Sequence, residues 1–578
     1  MRRSIVALLA LSFFSAFAAA VHLPWGDINV VVVTDVHAWV AGHALHPFWS
    51  NATDVPTDAG YGDVLSFYQR LQSDASRLDK DLFFVMNGDF MDGTGLSTIP
   101  PEKLLPILKR MPWDAVNIGN HELYHSETIE YMVESGFIDY WRGGYLTSNV
   151  DLIQPTTTRP LGNRYTYLYA ANSNTTILTF GFLYNFQGNC NVTRVRTVQQ
   201  IVKERWFRTV LRQDDYDAIL ILAHMGYRDP LVTVLLQAIR DIVGQNIPIQ
   251  FINGHTHIRG FQTLDDTATS FEAGHFLDTV GFVSFPVRQA VGMVANHSSL
   301  FQHLFLDANK QVLANTLGVE ELSTPDGDSL SLLINDTQKA LGLHTTVGCV
   351  PFTYQLDAPL TDPTSLWRLF LKQVVPKQLF ANNQSHVYIE NSGAFRYNLF
   401  EGVATLDDLI AVAPFNDTVY KVAARVTGTD LANALNNQNV AMAQVGMLHR
   451  LLSSADGEIE SNQLYDIYTA EFETQLVSDM LQNASSSTYP MVPFPVLNDR
   501  NQSVSTAMLW SDFIRSEWPC RASVKESSHL TMVSFVVLLV VFGTYWVSQH
   551  YSHSRRLRVA AEVQEPLLNG IGNTYGAV

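Results

Sequence analysis

Two layered α/β domains followed by one membrane-spanning helix is the architecture this sequence predicts. Three observations carry it: a length of 578 residues, a series of short apolar runs that each end in a polar cluster, and one uncharged apolar segment near the carboxy terminus. With 47% hydrophobic and 16% charged residues the composition is globular, and the length calls for two sizeable cores.

Residues 1–20 read as a signal peptide: Arg2 and Arg3 form the charged start, Ile5 to Phe17 the apolar stretch, and Ala18-Ala19-Ala20 a small-residue cleavage site. From residue 28 the apolar runs begin. Val30 to Val33 precede Asp35, Leu82 to Met86 precede Asp89, and Ala115 to Ile118 precede Asn120. Ile219 to Ala223 then precede His224, and Ile249 to Ile252 precede His255. Runs of this kind suit strands buried on both faces, with helices between them. The first helix is expected after Asp63, which can cap it, because Val64, Phe67, Tyr68, Leu71, Ala75 and Leu78 recur at helical spacing. Every polar cluster follows a strand, so the loops beyond the strand ends should share one site.

Residues 27–312 make the first domain on this reading, and 313–343 a linker and helix, with Pro325-Asp326-Gly327-Asp328 as a breaker before Leu330 to Leu341. A second α/β domain fills 344–520. Leu530 to Val547 has no charge, and its eighteen residues would cover roughly 27 Å as a helix, enough to span a bilayer. Residues 548–578 form a cytosolic tail that carries Glu565-Pro566-Leu567-Leu568, similar to a dileucine sorting signal. The signal peptide then places the body of the chain outside the cytosol, as a single-pass protein of the cell surface or the vacuole or lysosome. Sequons at Asn51, Asn174, Asn191, Asn296, Asn335, Asn383, Asn416, Asn483 and Asn501 all precede the membrane segment, as that orientation requires. Cys190, Cys349 and Cys520 allow at most one internal disulfide. A net charge of −18 excludes bulk nucleic acid as a partner but not a small anion, because bound cations can reverse the local sign.

The strand-end clusters are Asp35-Val36-His37, Gly88-Asp89-Phe90-Met91-Asp92, Gly119-Asn120-His121-Glu122, His224-Met225-Gly226 and Gly254-His255-Thr256-His257. In this order and spacing they resemble the signature of the calcineurin-like metallophosphatases. The resemblance implies a metallophosphatase β-sandwich flanked by helices and two divalent metal ions, zinc, manganese or similar. Asp35, His37, Asp89 and His257 would hold the first ion, and Asp89, Asn120, His224 and His255 the second. Two dications need a shared carboxylate between them, the place given to Asp89. It further implies direct in-line attack on phosphorus by a metal-bridging hydroxide, with His121 steadying the transition-state oxygens or protonating the leaving group. His43, His46 and His125 lie near these motifs and match no ligand position.

Asn391-Ser392-Gly393-Ala394-Phe395-Arg396 and Ala413-Pro414-Phe415-Asn416-Asp417-Thr418-Val419 resemble the substrate loops of the 5′-nucleotidase carboxy-terminal domain. That likeness implies that Asn391 and Arg396 contact a nucleotide and that Phe415 stacks on its base. Two departures stand out. The histidine motif continues in nucleotidases with Phe-Asp, whose aspartate orients the histidine, whereas Leu123-Tyr124 follow here; Asp92, placed as in the protein-phosphatase branch, is the expected partner of His121 instead. The glycine-rich loop carrying the second stacking aromatic has no clear counterpart, Phe472 being the candidate. The expected activity is therefore hydrolysis of nucleotide-like phosphate monoesters. The alternatives are a phosphodiester or pyrophosphate hydrolase acting on cyclic nucleotides or nucleotide sugars, and a non-catalytic binding ectodomain on the same fold.

Overall fold

The computed structural model describes residues 23–43, 57–288, 300–380, 385–437, 451–454, 459–484, 489, 493–498 and 500–520. The expected signal peptide, the segment 530–547, the tail, His46 and the sequons at Asn51, Asn296 and Asn383 lie outside the described residues. Among the described residues no helix is long and apolar enough to cross a membrane.

The apolar runs form strands. In chain order these are β1 (Ile28–Val33), β2 (Asp81–Asn87), β3 (Ala115–Asn117), β4 (Tyr145–Leu146), β5 (Tyr165–Ala170), β6 (Thr175–Leu183), β7 (Ala218–His224), β8 (Ile249–Asn253), β9 (Arg259–Asp265), β10 (Ala268–Ala273), β11 (Thr279–Phe285) and β12 (Gln302–Asp307). They make two six-stranded sheets, ordered β12-β11-β1-β2-β3-β4 and β9-β10-β8-β7-β6-β5. β1 to β4 run parallel to one another, as do β6, β7, β8 and β10, and the outer strands β11, β12, β5 and β9 pair antiparallel.

Alternation along each strand assigns the layers. Ile28, Val30 and Val32 of β1, Phe83 and Val85 of β2, and Leu220 and Leu222 of β7 share one buried cluster between the sheets. The intervening Val31, Val33, Phe84 and Met86 face outward and pack with Val64, Phe67, Tyr68 and Leu71 of helix α1 (Tyr61–Arg77). Ile219, Ile221 and Phe251 of the other sheet do the same with Val232, Leu235 and Ile239 of α2 (Pro230–Val243). With period-two side chains, a strand covered on both faces must be apolar throughout, which is why the runs are continuous. Truncating a buried aromatic such as Phe67 to alanine would cost about 3–5 kcal/mol.

Two helix starts differ from expectation. Gly60 is the N-cap of α1, and Asp63 sits three residues in, its Oδ2 accepting the Gly60 N–H at 3.0 Å. Pro325 to Asp328 do not break the chain either. They are the first turn of α3 (Pro325–Ala340), capped by Thr324, because a proline at the first helical position loses only an N–H that would have no partner. α3 packs across α1 where Gly62 meets Gly327; a Cβ on Gly327 would lie 2.3 Å from the Gly62 carbonyl oxygen.

The second domain holds β13 (Thr346–Val350), β14 (His386–Asn391), β15 (Gly402–Thr405), β16 (Val419–Thr427), β17 (Leu451–Ser453), β18 (Leu464–Ala470) and β19 (Phe494–Pro495). Five of them form a sheet ordered β17-β14-β18-β16-β19, and β13 pairs with β15. Cys349 on β13 is disulfide-bonded to Cys520, just past helix α4 (Thr506–Glu517), and Cys190 is free. The domain docks on the strand-end side of the first. Asp407 Oδ1 accepts the Gly95 N–H at 2.7 Å, and Tyr397 lies 2.5 Å from His43 Nδ1 through its hydroxyl and 4.5 Å from the Trp39 ring. His43, which matches no ligand position, is a buried part of this junction, stacked on Trp39 at 4.1 Å.

Candidate functional site

The carboxy-terminal ends of β1, β2 and β3 and of β7 and β8 meet at one end of the sandwich. The loop after β1 brings Asp35 and His37, that after β2 brings Asp89 and Asp92, and that after β3 brings Asn120 and His121. β7 ends on His224, and β8 leads to His255 and His257. Six of these residues adopt left-handed backbone: Asp35, His37, Asp89, Asp92, His255 and His257, with φ between 48° and 76°. Non-glycine residues seldom do so, and a cluster of such conformations costs of order 1–3 kcal/mol each, which the surrounding structure must offset.

Two buried glutamates provide part of that offset. Glu122 accepts backbone N–H bonds from Asp89 (3.0 Å), Phe90 (2.9 Å) and Gly119 (2.8 Å), clamping the loops after β2 and β3 together. Burial, with Asp89 adding to it, pushes the Glu122 carboxyl up to about 8. Glu272 on β10 receives the N–H groups of Tyr227 and Thr256 at 3.1 and 3.0 Å and so holds the loop bearing His255 and His257. Sequence reasoning gave neither residue a role. A charged residue inside an otherwise buried strand, as in Phe271-Glu272-Ala273, was the available signal for Glu272.

The ligand-type atoms fall into two groups sharing a wall. Asp35, His37 and His257 each offer an atom within 4.8 Å of the others, and so do Asp89, His224 and His255. Asp89 Oδ2 is 3.8 Å from His37 Nε2 and 3.0 Å from His224 Nε2, between the groups. His37, Asp89 and His121 form a third such group, His121 Nε2 being 3.9 Å from Asp89 Oδ2. Outer hydrogen bonds fix the rings. His37 Nδ1 lies 2.7 Å from the Met91 carbonyl and His224 Nδ1 2.8 Å from the Asn87 carbonyl, so each donates there and turns Nε2 inward.

The atoms turned inward fit divalent cations. Asn120 Oδ1 is buried without a hydrogen-bond partner, His224 Nε2 is turned to the Asp89 carboxylate at 3.0 Å, and His37 Nε2 and His257 Nε2 converge to 3.2 Å. Lone pairs facing one another in a water-poor cleft are costly unless a positive charge lies between them. Burial disfavours a charged His224, yet the Asp89 and Asp35 carboxylates outweigh it and push the ring up to about 10, so the cluster attracts positive charge. His255 and His257 go the other way: burial, reinforced by neighbouring cations, lowers both and keeps the imidazoles neutral, the form that ligates.

His121 Nδ1 lies 3.0 Å from Asp92 Oδ2, both residues being buried. From the second domain Arg396 reaches the same cleft. Its Nε is buried without a hydrogen bond, and among the described residues no carboxylate lies within ion-pair distance of it. Burial weakens the guanidinium's hold on its proton, while Tyr124, Asp89 and Asp92 strengthen it. Arg396, Phe395 and Leu356 join His257, His275 and Phe276 in lining a cavity of about 570 Å³ between the domains.

The other two expected substrate contacts are differently placed. Phe415 is 4% exposed, its ring nearly parallel to His121 at 6.4 Å with the Arg396 guanidinium 5.2 Å from its centroid, so it presents no open face to a base here. Asn391 is buried and commits its amide within the domain: Nδ2 donates to Glu473 and Oδ1 accepts the Gly393 N–H at 2.6 Å. Among the sequons, Asn174, Asn191, Asn483 and Asn501 are exposed, whereas Asn335 and Asn416 are half-buried.

The fold and the site define a two-domain phosphoesterase. Residues 28–259 match the calcineurin-like phosphoesterase family and residues 353–489 match the NAD nucleotidase carboxy-terminal domain. An uncharacterized protein of Schizosaccharomyces pombe is 30% identical over 430 residues, which cover 69% of this chain and 70% of that one. A secreted protein of Arthroderma benhamiae is 29% identical over 469 residues, covering 72% and 68%. The crystal structure of a 5′-nucleotidase from Candida albicans superposes with a TM-score of 0.76 at 25% identity, covering 86% of this chain and 99% of that one. That of a Thermus thermophilus 5′-nucleotidase precursor shares the fold, with a TM-score of 0.62 at 15% identity and coverage of 86% and 98%. The chain belongs to the calcineurin-like phosphoesterases, enzymes that use divalent metals, and carries a 5′-nucleotidase-type carboxy-terminal domain.

Proposed function

We propose that this enzyme hydrolyses nucleotide-like phosphate monoesters, with Asp35, His37, Asp89 and His257 around one divalent ion and Asp89, Asn120, His224 and His255 around the other. Such ions supply Lewis acidity toward phosphoryl oxygens and acidify water for in-line attack. The chain's own groups do the rest. Arg396 binds and orients the phosphate, His121 donates a hydrogen bond or a proton through Nε2 to a phosphoryl or leaving oxygen, and Asp92 holds that ring through Nδ1. Phe415 covers His121 and keeps water from it, and Asn391 shapes the loop that delivers Arg396.

The observation that carries this reading is Arg396, a guanidinium without a carboxylate partner turned toward the ligand cluster, where a phosphate would neutralise it. Residues 27–312 make the catalytic domain and 344–520 the substrate domain on this proposal. The disulfide, the exposed sequons and the secreted relative support passage through an oxidising secretory compartment, with Leu530 to Val547 as the anchor. The test is turnover by the purified protein, loaded with manganese or zinc, on adenosine monophosphate, an aryl phosphodiester and a dinucleotide pyrophosphate. Release of phosphate from the monoester at the highest kcat/KM is expected. Preference for the pyrophosphate would favour the second reading, to which the match with an NAD nucleotidase domain points. Two bound ions with no turnover of any ester would leave a binding module.

A further inference from the structure

Tyr124 follows the short 3₁₀ turn His121–Leu123 and leans back over its start. Asn120 Nδ2 donates to the Tyr124 hydroxyl at 2.5 Å, while the other end of the same amide, Oδ1, is buried and has no partner. The Tyr124 ring is itself held, edge to face, by His121 at 5.0 Å and Phe186 at 5.6 Å. An asparagine amide has a donor end and an acceptor end of nearly equal shape, and only the oxygen can bind a cation. Rotation by half a turn would aim NH₂ at the ion and remove the ligand. Asn120 is 3% exposed, so water does not choose between the two orientations, and an NH₂ left without an acceptor there would be costly. Among the described residues, the acceptor that takes that NH₂ is the phenol oxygen.

We infer that Tyr124 is a positioning residue for the metal centre: its hydroxyl captures the NH₂ of Asn120 and so turns Oδ1 to the second ion. The inference rests on the two-ion reading, in which Asn120 is a ligand. It also accounts for Leu123-Tyr124 after the histidine motif, since with Asp92 holding His121 the side chain at 124 serves the neighbouring asparagine.

The test is manganese binding by the full chain, measured by equilibrium dialysis with elemental analysis, for the wild type, Tyr124→Phe, Asn120→Asp and the double variant. Tyr124→Phe keeps both ring contacts and removes one oxygen. It should bind the first manganese as the wild type does and the second ten- to hundredfold more weakly, the usual range for losing an outer partner of a ligand. A carboxylate is symmetric and needs no such choice, so in the Asn120→Asp background the same change should cost nothing. Tyr124→Gln returns an acceptor oxygen and should recover part of the loss, which separates the hydrogen bond from any effect on folding. Unchanged second-site affinity in Tyr124→Phe, or a loss of equal size in the Asn120→Asp background, would overturn the role of Tyr124. A wild type that binds fewer than two ions would overturn the two-ion reading instead.

Discussion

Replacing Asp92 by asparagine alters the hydrogen bond between Asp92 Oδ2 and His121 Nδ1 at 3.0 Å, while an oxygen at Oδ1 can still accept from Ser97 Oγ at 3.5 Å. Asparagine tolerates the left-handed backbone of position 92, where φ is 63°, and the backbone atoms that bond Ser97 Oγ at 2.9 Å and His37 Nδ1 at 3.1 Å are unaffected. What changes is charge and ring orientation. The two side chains are 4% and 5% exposed, so the contact is little screened, and a charge-assisted bond of this kind contributes about 1.5–3 kcal/mol. At 1.36 kcal/mol per decade, that predicts a fall in kcat of roughly ten- to hundredfold. Metal content should stay at the wild-type value, because Asp92 offers no side-chain oxygen to either ligand group. The assay is kcat on a phosphate monoester beside elemental analysis of the same samples, for Asp92→Asn, His121→Asn and the double variant. If the pair works as a unit, the second change adds little to the first. Losses that multiply, or loss of an ion in Asp92→Asn, would refute the reasoning.

Asp89→Asn should lower the content of both ions and abolish turnover, since Asp89 lies against both ligand groups; two ions per chain with near-normal rates would remove it from the shared position. Glu122→Ala leaves three buried N–H groups without an acceptor, at about 1 kcal/mol or more each, so a loss of at least about 3 kcal/mol should appear in denaturant unfolding, and an unchanged midpoint would contradict the clamp. Arg396→Ala should reduce kcat/KM by about tenfold or more on nucleotide and small aryl phosphates alike, whereas a loss confined to nucleotides would place the guanidinium on the ribose. Phe415→Ala should also slow both substrates, because the ring lies over His121; selective loss of nucleotide hydrolysis would show that a base reaches it after all. A chain stopped before Leu530 should be secreted, glycosylated at exposed sequons such as Asn174 and Asn501, and active; its recovery in the cytosol unmodified would contradict the orientation.

The candidate ligand residues were named through the resemblance of the five clusters to the calcineurin-like metallophosphatases, and the fold brings Asp35, His37 and His257 together, and likewise Asp89, His224 and His255. A cation site needs carboxylate, imidazole and amide oxygen, and a layered α/β fold must present them on loops after apolar strands. Each of the five runs therefore announced its cluster locally. Asp92, three residues beyond Asp89 on one loop, was named from the place it shares with the protein-phosphatase branch. The strands themselves were legible because burial on both faces demands apolar residues at every position, a constraint visible within six residues. What the sequence did not determine depends on contacts between distant segments. Glu122 and Glu272 act by accepting N–H groups from loops that the fold alone brings to them. Phe415 reads as an open stacking surface until the second domain docks and lays it over His121, and Asn391 as a ligand contact until Glu473 and Gly393 take both ends of its amide. Tyr124 reads as the loss of a carboxylate; only the folded turn shows its hydroxyl on Asn120. Residue types fix what a site can bind, because that is set by the atoms each side chain carries. Which of those atoms remain unpaired and face the cleft is set by packing across the two domains, and only the tertiary structure decides it.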